Sequence, residues 1–124
     1  MGLETAEYQL GLFDGLPEET QIRFLMESAR DLDASIAALD DLVTAWAAGD
    51  PESLAQLMNE GLNDPLIYDK LLTQRNANWA HWIAGRMQKP GIIFIAVGAG
   101  HLSGPTSVPY LMTAYGLKAE RVNY

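Results

Sequence analysis

The stretch with the most chemical potential runs from Gly91 to Gly104, GIIFIAVGAGHLSG. Its apolar run, Ile92-Ile93-Phe94-Ile95-Ala96-Val97, breaks into Gly98-Ala99-Gly100-His101. An uninterrupted apolar run of this length, bounded by Pro and Gly, fits a strand buried on both faces. Gly98 and Gly100 allow positive φ and a sharp turn. That turn would set His101 at the carboxyl end of the strand, where open α/β sheets form ligand crevices. An imidazole there can bind a metal or carry a proton. As a lone histidine after a glycine turn it can equally be a packed or capping residue. The second chemically loaded pair is Arg75-Asn76. It lies on or beside the apolar face of a helix that carries Leu72, Trp79, Trp82, Ile83 and Met87. A guanidinium in that position needs a partner, because an unpaired buried charge is very costly. A cation–π contact with Trp79 or Trp82 would serve. His81 falls off this face and reads as a surface residue.

Composition narrows the chemistry. The chain has no cysteine, which excludes disulfides, zinc fingers and thiol catalysis. A net charge of −8 leaves no basic patch to neutralise phosphates, so nucleic acid is not an expected partner. No apolar run reaches the roughly 18 residues of a membrane span. Residues 1–20 carry five acidic groups and no Lys or Arg, which is not a signal-peptide pattern. The charge is also lopsided. Residues 1–64 hold fourteen acids against Arg23 and Arg30, whereas residues 65–124 hold Asp69 and Glu120 against six basic groups. The expectation is an acidic helical layer, 1–90 at its widest, and a mildly basic strand-helix-strand unit over 91–124.

The elements that must position these residues can be read in order. A short helix is expected over 4–14, with Tyr8, Leu12 and Phe13 on one side, stopped by Gly15. Leu16-Pro17 opens a long helix, with Pro suited to its first turn and Glu18 and Glu19 at the positive end of its dipole. From Ile22 the apolar positions Ile22, Leu25, Ala29, Leu32, Ile36, Leu39, Val43 and Trp46 follow an unbroken heptad spacing. Such a face would pack on the next helices or form a dimer seam. Gly49 caps it, and Asp50-Pro51 and Asp64-Pro65 start two more helices, the first burying Leu54, Leu57 and Met58 and the second running to about Gln88. After His101 a helix from near Pro105 to about Tyr115 leads into a last strand, Leu117 to Val122. This gives an α/β fold, mostly α: long helices against a small parallel βαβ unit. Two strands make an unstable sheet. Completion by a missing N-terminal half or by self-association, as a homodimer, is therefore expected.

Several of these residues also carry a family resemblance. Gly2-Leu3-Glu4-Thr5, Gln21, Ala45-Trp46-Ala47-Ala48-Gly49-Asp50, Arg75-Asn76 with Trp79, Val97-Gly98-Ala99-Gly100-His101-Leu102-Ser103-Gly104, Tyr115-Gly116-Leu117 and Arg121-Val122 occur in an order that resembles the TraB/GumN family, relatives of the Tiki metalloproteases. The resemblance implies a divalent-metal site and, for the Tiki branch, metal-dependent hydrolysis of peptide bonds. It also makes a bacterial envelope location conceivable. The family pattern has two Gly-x-x-His motifs, a glutamate and an arginine. Carried over, these give Gly98 to His101 as the second motif, Glu4 as the glutamate, and Arg75 with Asn76 beside it. His101 and Glu4 would be the metal ligands, with Arg75 orienting a peptide or small-molecule substrate. The first Gly-x-x-His motif is absent. The chain therefore reads as the C-terminal half of such a hydrolase, inactive in isolation. The competing reading is a non-catalytic helical module for dimerisation or regulation. A dinucleotide-binding reading of Gly98, Gly100 and Gly104 misses the required spacing by one residue.

Overall fold

The computed structural model describes residues 2–29, 32–60 and 62–122, and among them every regular element is helical. Helix α1, Ala6–Asp14, starts on Thr5, whose side chain accepts from the Tyr8 amide at 3.1 Å, the usual way an N-cap satisfies an orphan donor. Of its expected face only Leu12 is buried; Tyr8 and Phe13 stay exposed. Leu16 is buried between α1 and α2, Glu18–Ala29. Helix α3 follows as Leu32–Ala48. Both parts of the expected long helix are thus helical, and their junction, Arg30 and Asp31, lies outside the described residues.

The heptad face is left open among the described residues; the Leu32 side chain lies outside them. Ile22, Leu25, Ile36, Leu39 and Val43 are all more than half exposed, and Trp46 is 73% exposed. Among the described side chains of α3 Ala45 is buried, and α3 packs against α4, Pro51–Asn59. The elements that follow are too short to sheathe a face of that length. Asp50 caps α4 by accepting from the Ser53 amide and hydroxyl at 3.1 and 2.7 Å. In α4 it is Ala55 that is buried, while Leu54 and Leu57 are partly buried and Met58 exposed. Asp64 caps α5, Pro65–Tyr68, and also pairs with Arg23, tying α2 to the start of α5.

From Pro65 to Met87 the helix runs as expected, with one departure. Asp69–Thr73 forms a π-turn between α5 and α6, Gln74–Met87. Buried Ile67 and Leu72 are five residues apart, one more than the four of an α-helical step. The wider π-turn takes up that extra residue and keeps both side chains on the core side. Beyond it Asn76, Trp79, Ala80, Ile83 and Ala84 share one buried face.

The expected α/β fold with a parallel βαβ unit is overturned here: no strand and no sheet occur among the described residues. Residues 92–98 are extended but belong to no ladder, and neither do 117–122. The run is not buried on both faces either. Ile93, Ile95 and Val97 are partly buried, while Ile92 is 100% and Phe94 92% exposed. This two-residue alternation is what an extended chain lying on a helix produces: one side rests on the core and the other faces out. Ladder hydrogen bonds need a neighbouring extended chain, and these two stretches do not serve each other. The helix expected from Pro105 is also shorter, α7 being Val108–Met112 on a Ser107 N-cap, with a 3₁₀ turn Thr113–Tyr115 ending on left-handed Gly116, φ +71°. The core that results is Trp79, Ile83 and Val108, with Leu3, Ile95, Val97, Met112 and Leu117 packed around it.

Candidate functional site

The site lies where the buried face of α6 meets the turn that follows the extended segment. The sharp left-handed turn expected at Gly98 and Gly100 does not occur. Gly98 is extended, φ −62° and ψ 144°, and Ala99–His101 form a 3₁₀ turn closed by the His101 amide on the Gly98 carbonyl at 3.0 Å. At Gly100 the constraint is a close approach instead. A Cβ there would sit 3.1 Å from Asn59 Oδ1, so the Asn59 side chain of α4 would have to give way by a few tenths of an ångström. With α4 against its back, the turn presents His101 to α6.

His101 is buried, and its Nδ1 meets Asn76 Oδ1 at 2.6 Å. Asn76, 1% exposed, spends its other arm on the Thr106 carbonyl, which accepts from Nδ2 at 2.8 Å. The imidazole ring packs on Trp79 with centroids 4.6 Å apart. Among the described residues Nε2 has no hydrogen-bond partner. It is not among the sealed, unpartnered polar atoms, of which Trp79 Nε1 is the one example there, so it keeps contact with the cavity that the ring lines. Burial, then the nearby Arg75 charge, push the imidazole below its ordinary pKa, and Glu4 opposes them only in part. Burial and Arg75 both disfavour a charge on the ring.

Arg75 finds the partner that its position demands. Its Nε donates to Glu4 Oε1 and Oε2 at 2.9 and 3.2 Å, and Nη2 donates to Oε2 at 2.9 Å. Nη1 closes onto the Leu71 carbonyl at 3.1 Å, and the guanidinium carbon lies 5.0 Å from the Trp79 ring centre. Gln9 Nε2 adds a bond to Glu4 Oε2 at 3.1 Å. Burial alone would raise the Glu4 carboxyl. The bonds from Arg75 and Gln9, the Arg75 charge and the neighbouring Trp79 indole outweigh it and hold the carboxyl below its usual range. The Glu4 side chain is 6% exposed and that of Arg75 17%.

Glu4, Arg75 and His101 line one cavity of ≈ 380 Å³, together with Trp79, Trp82 and residues 94–98. Asn76 stands behind His101. The four residues singled out in the sequence thus come together, linked through Trp79, which touches both the imidazole and the guanidinium. His81 does not join them: it is exposed and faces Tyr115 with ring centres 6.0 Å apart. Gln9 and Thr106 were not foreseen. A glutamine on an exposed helix side and a backbone carbonyl in a loop leave no pattern in a sequence. Trp79 was placed on the right face, but its link between the two pairs could not be read from spacing.

The donor set bears directly on a metal. Among the described residues no group of three His, Cys, Asp or Glu is arranged to hold one. A catalytic metal takes about three protein ligands. This chain offers one free imidazole nitrogen and one carboxylate that Arg75 already holds, so its described residues do not make a complete metal site.

Comparison with known proteins fixes the kinship. The chain is 32% identical over 108 residues to the uncharacterized protein YbaP of Escherichia coli (strain K12) and to that of Shigella flexneri. Each alignment takes in 76% of this chain and 39% of the relative, so the chain spans well under half the length of the relatives it matches. No solved structure matches. The TraB/PrgY/gumN family pattern covers residues 1–121, and the chain belongs to that family.

Proposed function

We propose that this chain supplies one side of the active site of a metal-dependent hydrolase acting on peptide or other acyl substrates. The further ligands would come from a part of the full-length protein outside this chain. The observation that carries the reading is a buried imidazole whose Nε2 is left open to a cavity shared with the paired Glu4 and Arg75 side chains. A metal held there would polarise a carbonyl and make a bound water more acidic. The chain's own residues have separate tasks. His101 offers a lone pair. Trp79 excludes water from one wall. Arg75 fixes the Glu4 carboxylate and adds positive charge where an oxyanion would develop. An adjoining open cleft of ≈ 1000 Å³, sharing Glu4, Trp79 and Trp82 with the cavity, gives an extended substrate room to lie.

The test is peptide hydrolysis by the full-length protein, stripped of metal and resupplied with Zn²⁺, Mn²⁺ or Co²⁺. Activity should return with a metal and fall by a factor of about 10² or more in His101→Ala, as expected for a lost ligand or base. Full activity in that variant would remove His101 from the site.

A second reading, an association module without catalysis, draws on the exposed apolar face of α2 and α3. An exposed apolar stretch of that size marks an interaction surface. It predicts oligomerisation indifferent to chelator.

A further inference from the structure

We propose that Asn76 is a positioning residue: it locks His101 in the Nδ1–H tautomer and thereby presents the bare Nε2 to the cavity. What Nε2 then does depends on the reading above. The tautomer itself rests on hydrogen-bond geometry alone.

The argument starts at the far end of the Asn76 amide. The Thr106 carbonyl can only accept, so the group facing it at 2.8 Å is the NH₂. The amide oxygen therefore faces His101 Nδ1 at 2.6 Å, and that oxygen can only accept. A proton must stand on Nδ1. The flipped amide would set oxygen against oxygen at Thr106 and lose that bond. Hydrogen positions are thus assigned by the network as a whole. A neutral imidazole has a single N–H, so Nε2 keeps its lone pair. Asn76 is 1% exposed, which leaves water no place to substitute for it, and the Trp79 ring packed on the imidazole restricts its rotation. Aspartate could also accept from Nδ1–H, but it has no donor for Thr106 and would bury a charge. Asparagine alone satisfies both neighbours and stays neutral. A ring held by one nitrogen on an oxygen acceptor, with the other nitrogen facing a cavity, is how metal-binding histidines are oriented.

The experiment is a long-range ¹H–¹⁵N correlation spectrum of the labelled chain at a pH of about 8, above the ordinary imidazole range. In the wild type His101 should show a protonated Nδ1 and a bare Nε2. Asn76→Ala should move the ring toward the Nε2–H form, and Asn76→Asp should restore Nδ1–H. In the full-length protein, titration with Zn²⁺ should shift Nε2 in the wild type, and Zn²⁺ should bind about 10–100-fold more weakly in Asn76→Ala. A wild-type ring with its proton on Nε2 would overturn the assignment, and that measurement needs no variant to fold. So would an Asn76→Ala chain with a native amide spectrum and an unchanged tautomer. If Zn²⁺ leaves Nε2 unmoved in the full-length protein while the ring has the assigned tautomer, the metal reading of the site fails and the positioning role of Asn76 stands.

Discussion

Replacing Glu4 by Gln removes one charge from a pair that folding has largely withdrawn from water, and leaves the shape almost unchanged. The wild-type carboxylate receives three close contacts from the Arg75 fork, at 2.9, 3.2 and 2.9 Å, plus one from Gln9. With the side chains 6% and 17% exposed, neither solvent nor salt screens the pair well. Hydrogen bonds to charged groups contribute about 1.5–3 kcal/mol, and removing one partner of a buried pair costs still more because it strands the other. The Arg75 side chain reaches solvent at one edge, which lowers the estimate to about 2–3 kcal/mol. For a chain of this size that is a fall in Tm of about 8–12 °C. The pH dependence adds a second signature. The Glu4 carboxyl is held below 4.5, its unfolded value. Its contribution is therefore complete above that pH and disappears as pH falls through the lowered folded value. Thermal unfolding of wild type and Glu4→Gln between pH 7 and pH 3 measures both effects. The two curves should lie well apart at neutral pH and converge in acid. A Tm within about 1 °C of wild type at pH 7, or a constant offset down to pH 3, would refute the claim that this pair pins the amino-terminal segment to α6.

Three further outcomes can be checked on the same footing. Because folding lowers the His101 pKa from 6.5, its neutral ring contributes stability that is complete above that value and lost as pH falls below it; His101→Gln should flatten this limb of a urea-midpoint-against-pH curve. Gly100→Ala puts a methyl group 3.1 Å from Asn59 Oδ1 and should cost about 1–2 kcal/mol in chemical denaturation, with displaced amide signals in α4 and the 99–101 turn. Ile36→Asp should leave the fold intact, since the residue is 58% exposed, but should abolish any oligomer seen by light scattering if the α2–α3 face is its seam.

How far these features were legible in the sequence depends on whether a local signal had a local cause. Asp50-Pro51 and Asp64-Pro65 open helices as read, because an aspartate cap and a proline in the first turn act within four residues. The buried face of α6 was legible for the same reason, and Arg75 beside it carried its own demand for a counter-charge. The strands were not. Ile92 to Val97 has the composition of a strand, but composition cannot supply the neighbour that turns an extended segment into a sheet. Here the segment rests on the helices by its Ile93, Ile95 and Val97 side. The glycines differ in a related way: the sequence suggests positive φ at Gly98 and Gly100, whereas Gly100 meets a close approach by Asn59 of α4, about forty residues distant in the chain. The heptad of α2 and α3 is a real periodicity that meets no partner among the described residues.

The Glu4–Arg75 pair also decides what kind of ligand the carboxylate could be. Oε2 accepts from Arg75 Nε and Nη2 and from Gln9, while Oε1 accepts from Arg75 Nε alone. A carboxylate has about four lone-pair sites, two on each oxygen. The fork therefore crowds Oε2 and leaves a lone pair on Oε1. Glu4 can be fixed by Arg75 and still offer one oxygen to an electrophile without breaking the ion pair. Asn76 does for His101 what Arg75 does for Glu4: each occupies one side of its neighbour and leaves the opposite side bare. Two adjacent residues on one turn of α6 thus orient two donors drawn from opposite ends of the chain. A single helical turn whose register is set by the π-turn just before it governs both. A change at the π-turn that restores ordinary α-helical spacing would rotate Arg75 and Asn76 together, and both donors would lose their orientation at once.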